Sequence, residues 1–142
     1  IMLAHMAVAE GHIAAANCLG AKRAVSYDVV PSGIFSSPEV GDVGLTEAQA
    51  KAAGTDVAVG LFQFRELGKA QAMGELPGVF KLVADKATGK LLGAHIAGAH
   101  ATDLIAEAAL ALHMGATARD LAETIHAHPT LAEGVFEAAH MI

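Results

Sequence analysis

The chain has 142 residues, which suits one domain, and its formal net charge at pH 7 is −6. An acidic chain is a poor ligand for nucleic acid or an anionic membrane surface, and no apolar run reaches the ~20 residues that span a bilayer. The single cysteine, Cys18, excludes an internal disulfide and favours a reducing compartment such as the cytoplasm. Residues 1–5 lack the basic region of a signal peptide, and we interpret their abrupt start as a fragment boundary.

The first half of the chain predicts one helix followed by short strands. The predicted elements are an amphipathic helix at 2–19, strands at 33–35, 40–45 and 57–64, and a connecting loop at 65–76. Gly20 should end the helix. Thr46 and Gln49 have the spacing of a capping box, which predicts a short helix between the second and third strands.

The second half predicts a hairpin followed by helices. The expected elements are strands at 79–84 and 91–96, a helix between Gly98 and Gly115, a helix from Thr117, and a last helix from Leu131. Asp85 and Gly89 suit the hairpin loop, because Asp initiates turns and Gly accepts a positive φ. Strands joined by hairpins predict an α+β fold, with an antiparallel sheet of about five strands and helices packed on one side.

Residues 126–133 carry the side chains with the clearest chemistry. Histidine exchanges a proton near neutral pH, and a carboxylate at Glu133 could fix the tautomer of His128. Pro129 disfavours helical backbone at His128, so its ring should project from an extended residue. Thr130 and Glu133 also have capping-box spacing, which would give Glu133 a purely structural role. The spacing leaves both interpretations open.

The remaining candidates are weaker. His126 and His128 could chelate a metal, but two ligands alone are a poor signal, and we expect no metal site. Cys18 is expected to be a small buried apolar residue. No dinucleotide-binding glycine motif and no P-loop is present. The other histidines are expected at the surface or hydrogen-bonded in the core: His5, His12, His95, His100, His113 and His140.

The segment His-Ala-His-Pro-Thr-Leu-Ala-Glu at 126–133 resembles the C-terminal signature of the dihydrolipoamide dehydrogenase family, within the pyridine nucleotide-disulfide oxidoreductases. Further segments resemble the same family in the same order, at 30–31, 37–40, 43–47, 74–85, 88–95 and 101–108. The resemblance implies the C-terminal interface, or dimerisation, domain of such an enzyme. On this view residues 1–25 are a helix of the FAD-binding domain, and residues 26–142 form the interface domain.

The resemblance also implies a mechanism. Two subunits pair through this domain, and each donates an acid/base, here His128, and its orienting carboxylate, here Glu133, to the partner's active site. A dihydrolipoyl group on a protein of a 2-oxoacid dehydrogenase or related complex would be oxidised, with FAD and NAD as cofactors. The expected cofactor contacts are Met2, Leu3, Ala4, His126 and Pro129.

Departures from the family pattern define the alternatives. The FAD and NAD folds and the paired redox cysteines are missing, so the isolated chain should be inactive, and Cys18 is given no redox role. Ala132 stands where relatives often have Ser, and Gly134 falls inside the last predicted helix. A non-catalytic assembly module, or the equivalent domain of a glutathione reductase-like enzyme, are the competing functions. We expect dimerisation through the last two helices.

Overall fold

The computed structural model describes residues 1–142, which form two compact units, Ile1–Val30 and Pro31–Ile142. The strands are β1 (Ser32–Ile34), β2 (Glu39–Gly44), β3 (Val57–Gln63), β4 (Val79–Asp85) and β5 (Leu91–Gly98). The helices are α1 (Ala4–Cys18), α2 (Glu47–Ala52), α3 (Gly68–Met73), α4 (Ala101–Met114), α5 (Ala118–Glu123) and α6 (Glu133–His140), with a single 3-10 turn at Phe64–Glu66. None of these helices combines the length and the apolar character needed to cross a bilayer.

The first unit is α1 followed by a segment without regular structure. The side-chain amide of Asn17 ties that segment to the helix, because it accepts a hydrogen bond from the N–H of Arg23 and donates one to its carbonyl, each at 2.9 Å. The helix is confirmed, but the predictions that it is amphipathic and that Cys18 is buried are wrong. Met6 is the only buried residue of α1, so neither an apolar face of this helix nor Cys18 is covered within the chain.

The second unit is built on one antiparallel sheet of five strands in the order β1-β2-β5-β4-β3, which confirms the predicted fold class. The β4–β5 hairpin forms as its loop predicts. The Asp85 carboxylate accepts hydrogen bonds from the N–H groups of Ala87 and Thr88, and Gly89 has φ 72°. Asp85 is thus the residue that closes the turn, and Gly89 supplies the backbone conformation that other residues rarely adopt.

The two helices α4 and α6 pack on the same face of the sheet. A Cβ added at Gly41 would overlap the carbonyl of Ala101 in α4, and one added at Gly60 would overlap the carbonyl of Ala138 in α6. Gly41 is level with Ile96 and Phe80 across the sheet, and Gly60 is level with Leu82, two residues from Phe80 on β4. Since residues two apart on a strand face the same side, both glycines allow a helix to approach the same face. On the opposite face α2 reaches β4, where Glu47 pairs with Lys81 at 2.7 Å.

The predicted loop at 65–76 is wrong, because this segment contains the rest of the 3-10 turn and α3. Two apolar residues of this polar segment are buried: Leu67 is 4% exposed and Ala70 is fully buried. They follow the buried Phe64 at intervals of three, so the burial of one side of the segment gives it an ordered structure. The last helix begins at Glu133, two residues after the predicted start at Leu131.

Candidate functional site

The candidate site lies on the segment that joins α5 to α6. The predicted helix start at Thr117 is confirmed, and it contains a capping box: the Thr117 hydroxyl accepts from the N–H of Asp120, whose carboxylate accepts from the N–H of Thr117. At the other end of α5 the Thr124 hydroxyl donates to the carbonyl of Asp120 at 2.7 Å. The segment then runs without regular structure to Glu133, and its His128–Pro129 peptide bond is cis.

His128 and Glu133 form a close pair. Nδ1 of His128 lies 2.7 Å from Oε1 of Glu133, while 76% of the His128 side chain and only 20% of the Glu133 side chain are exposed. Nε2 of His128 has no hydrogen-bond partner in the chain. Since a carboxylate only accepts hydrogen bonds, Nδ1 carries the proton in this contact, and the lone pair of a neutral ring lies on the exposed Nε2.

Glu133 makes a second hydrogen bond besides its contact with His128. Its second oxygen, Oε2, accepts a hydrogen bond from the N–H of Thr130 at 2.8 Å. The capping box that the spacing suggested does not form, because Ala132 is the N-cap of α6 and the Thr130 hydroxyl donates to the carbonyl of Ala127 instead of accepting from the helix. One carboxylate therefore links the backbone of Thr130 to the ring of His128.

The hydrogen bonds hold Glu133 in its ionised form. The pKa of its carboxyl is lowered from the ordinary value, first by the N–H of Thr130 and also by the hydrogen bond and charge of His128, against an opposing effect of burial. An ionised Glu133 fixes the Nδ1–H tautomer of His128 and stabilises the imidazolium that forms when Nε2 takes a proton. The pair can therefore act as a general base followed by a general acid on a molecule that reaches Nε2.

His126 is held inside the domain. Its side chain is only 6% exposed, with Nδ1 at 2.8 Å from the carbonyl of Thr124 and Nε2 at 2.7 Å from Oε1 of Glu107. Both ring nitrogens are thus engaged by the chain, and a cofactor contact by His126 stays a prediction. Glu107 was not among the site residues predicted from the sequence. The available signal was a carboxylate within an apolar stripe of α4, between Leu104 and Ala111.

The other predicted site residues lie at exposed positions or at a helix start. Pro129 is exposed beside His128. Leu3 is the N-cap of α1 and Met2 is exposed, while the first turn, which begins at Ala4, contains neither a capping side chain nor an acidic residue. His126 and His128 face different carboxylates, and no three His, Cys, Asp or Glu side chains converge in a geometry that could hold a metal ion.

Three large apolar side chains near this segment are exposed. Ile125, next to His126, is 96% exposed, and on α4 Leu110 is 62% and Met114 is 73% exposed. Because His126 bonds Glu107 on α4, the backbone of Ile125 lies beside that helix, and we refer to Ile125, Leu110 and Met114 as the apolar surface. Exposed apolar patches of this kind mark interaction sites.

Comparisons with known proteins point to one family. Residues 30–139 match the model of the pyridine nucleotide-disulphide oxidoreductase dimerisation domain. Dihydrolipoyl dehydrogenase from Halobacterium salinarum is 49% identical over 138 residues, covering 97% of this chain and 29% of that protein. The corresponding enzyme from Thermus scotoductus is also 49% identical, over 99% of this chain and 30% of its own length. The chain thus spans about 30% of the length of these relatives.

Solved structures share the fold. The crystal structure of LpdA from Mycobacterium tuberculosis superposes with a TM-score of 0.91 at 26% identity, covering 99% of this chain and 31% of that one. The HOCl-induced flavoprotein disulfide reductase RclA from Escherichia coli superposes with a TM-score of 0.93 at 24% identity, covering all of this chain and 33% of its own. At that identity the second likeness shows the fold alone.

Proposed function

The chain belongs to the dimerisation domain family of the pyridine nucleotide-disulphide oxidoreductases, and we propose that it supplies the acid/base pair of a dihydrolipoamide dehydrogenase. The observation that carries this proposal is the His128–Glu133 pair, with Nδ1 held at 2.7 Å by the carboxylate and Nε2 without a partner in the chain. The names and 49% identity of the dihydrolipoyl dehydrogenase relatives support the choice of substrate.

The proposed reaction begins with proton transfer. Nε2 of His128 takes the proton of a dihydrolipoyl thiol, and the resulting thiolate attacks a disulfide of the partner subunit. That attack forms a mixed disulfide and releases one enzyme thiolate. His128 passes the first proton to the released enzyme thiolate and then takes the proton of the second substrate thiol. The new thiolate attacks the substrate sulfur of the mixed disulfide and displaces the other enzyme sulfur, which receives the second proton from His128. A lipoyl disulfide and an enzyme dithiol result. With NAD⁺ as the final acceptor, the balance is dithiol plus NAD⁺ giving disulfide, NADH and one proton.

Bound FAD would relay the two electrons of the enzyme dithiol to NAD⁺. The start of α1 fits the role of a cofactor contact, because Leu3 has extended backbone (φ −121°, ψ 137°) and the first turn contains no acidic side chain. The beginning of a helix suits a negatively charged atom of a cofactor. We therefore assign Met2, Leu3 and Ala4 to the flavin side of the proposed enzyme and keep Pro129, exposed beside His128, as a further contact.

We propose that a second copy of the chain covers the apolar surface. A base that is 76% exposed has no enclosed site of its own, and an active site formed between two subunits would supply the enclosure. The exposed Ile125 lies on the segment that carries this base, and the exposed Leu110 and Met114 lie on α4, the helix that binds this segment through Glu107 and His126. A dihydrolipoyl-carrying protein is the proposed substrate partner, and the cytoplasm is the proposed location.

The test is turnover of dihydrolipoamide with NAD⁺ by the full-length protein that carries this domain. His128→Gln should lower kcat by about 10²–10⁴-fold with flavin content unchanged, because that is the usual size of general acid/base catalysis. His113→Gln, which changes an exposed imidazole at the end of α4, is the control and should behave like wild type.

Full activity of the His128→Gln protein would reduce this domain to an assembly module without a chemical role. If the wild type instead reduces glutathione disulfide and not a lipoyl substrate, the glutathione reductase-like alternative holds. A third outcome, turnover lost together with the bound flavin, would mean that His128 supports the fold of the cofactor site and not the proton transfer.

A further inference from the structure

We propose that Glu107 is a positioning residue, whose carboxylate holds His126 and thereby fixes the segment that presents His128. The inference rests on the proposed function and extends it to a second histidine–carboxylate pair. Glu107 lies on α4, on a different element from the acid/base pair, and its Oε1 is 2.7 Å from Nε2 of His126. The His126 ring is 6% exposed, so water does not compete for this contact as it does at the surface.

Both ring nitrogens of His126 face oxygen. Nδ1 faces the carbonyl of Thr124, and Nε2 faces the carboxylate of Glu107. Since a carboxylate only accepts hydrogen bonds, Nε2 donates a proton to Glu107 in this contact. The carboxylate therefore fixes the orientation of the ring from the side of α4.

The His126–Glu107 pair holds the exposed residues on their N-terminal side, and a hydrogen bond of Thr130 holds them on their C-terminal side. Ala127, His128 and Pro129 are exposed. Upstream of them, His126 is bound to α4 and its ring lies 5.6 Å from the ring of Phe136 in α6. Downstream, Thr130 bonds back to the carbonyl of Ala127. Removal of Glu107 would free the upstream anchor and leave a buried ring nitrogen without a partner.

The second pair also affects the pKa of Glu133. The charge of His126 is one of the causes that lower the pKa of the Glu133 carboxyl. The phenyl ring of Phe136 separates His126 from His140, with ring centroids 4.3 Å apart on that side. Glu107 is the carboxylate that bonds His126 directly, whereas His126 acts on Glu133 only through its charge.

The experiment compares four variants of the full-length enzyme. Glu107→Ala removes the hydrogen bond. Glu107→Gln retains one, because its amide N–H can donate to Nε2 of a neutral His126. Asp103→Ala removes an exposed carboxylate from the same helix, and His128→Gln tests the proposed base. Each is assayed for dihydrolipoamide turnover in water and in deuterium oxide, for NADH-dependent ferricyanide reduction, for flavin content and for mass by light scattering.

Glu107→Ala should lower kcat for dihydrolipoamide by about 10–100-fold, the cost of misplacing a catalytic group by about 1 Å. Its solvent deuterium isotope effect should rise, because proton transfer limits turnover more. Ferricyanide reduction, which needs no thiol proton, should stay at the wild-type level together with flavin content and dimer mass. Glu107→Gln should recover most of the lost turnover, and Asp103→Ala should match the wild type.

Wild-type turnover by Glu107→Ala would overturn the positioning role. An equal loss of ferricyanide reduction, or dissociation of the dimer, would also overturn it. Glu107→Gln as impaired as Glu107→Ala would also overturn it. If Glu107→Ala does not fold, NMR carries the test: a protected Nε2–H proton of His126 should be present in the wild type and absent in Glu107→Gln, where Nε2 accepts from the amide. Absence of this proton in the wild type refutes the pair. His128→Gln tests the proposed function separately. Full activity of this variant would refute the proposed function, whereas loss of activity in His128→Gln but not in Glu107→Ala would refute only the positioning role of Glu107.

Discussion

Gly134→Ala should destabilise the domain although Ala is the better helix former. Gly134 lies in the first turn of α6, and a Cβ added there would come closer than 3.0 Å to three atoms of the Phe80 ring. Phe80 cannot move aside easily, because it is 1% exposed and stacks on Phe64 with ring centroids 4.5 Å apart. Overpacking of this kind costs about 1–3 kcal/mol, and the gain in helix propensity returns at most about 1 kcal/mol. We expect a net loss of roughly 1–2 kcal/mol in the free energy of unfolding.

Urea denaturation followed by circular dichroism measures this change. Gly68→Ala is the matched control, because Gly68 is also the beginning of a helix, α3, yet nothing lies within 4 Å of the added Cβ. It should be neutral or slightly stabilising. The double variant Phe80→Leu with Gly134→Ala should lose less than the sum of its two single variants, since the smaller side chain makes room for the methyl group. A Gly134→Ala protein as stable as wild type would refute the close packing of α6 on β4.

Three further predictions concern charge and backbone strain. Because the pKa of Glu133 is lowered when folded, it should stabilise the domain above its ordinary pKa of 4.5 and lose that effect as the pH falls through the lowered value; the urea midpoints of wild type and Glu133→Gln should therefore converge in acid. Glu47 has a pKa of about 2, chiefly from its hydrogen bonds to Lys51 and then to Lys81, so Lys81→Met should raise the midpoint of its carboxyl titration by NMR, and an unchanged midpoint would exclude the contact between α2 and β4. His100 has a positive φ of 59°, so His100→Val should cost about 1–2 kcal/mol in thermal unfolding, whereas His100→Gly should not.

Elements with local chemical signals were predictable from the sequence. The hairpin between β4 and β5 needed only Asp85 and Gly89 between two apolar runs, and the capping box at Thr46 and the helix start at Thr117 formed where they were predicted. The helix α3 was missed for a physical reason. Its apolar spacing covers only six helical residues, and its position depends on the burial of Leu67 in a core that only the folded chain provides.

One part of the candidate site was likewise predictable from the sequence, and another part was not. His128 and Glu133 are five residues apart, so the sequence could relate them through a family resemblance and a turn into a helix. Glu107 is 19 residues from His126 in the chain and belongs to another helix. Its contact is set by how α4 and the segment after α5 pack on the sheet, and no local spacing expresses that distance. The two contacts of Glu133 were also not predicted together. The spacing suggested either a capping box or a contact with His128, whereas its two oxygens bind the N–H of Thr130 and the ring of His128.

The exposure of His128 would count against catalysis in a monomer and supports it in a dimer. Catalytic bases act in enclosed sites, where water is excluded and hydrogen bonds are strong, yet 76% of this side chain is open to solvent. The chain nevertheless holds the ring firmly through Glu133, and it holds the preceding residue through His126 and Glu107. A surface histidine without a role would not need two buried or half-buried carboxylates to fix its segment. The combination of a fixed ring, a Nε2 without a partner and a 96% exposed Ile125 nearby therefore favours a site that is completed by a second subunit.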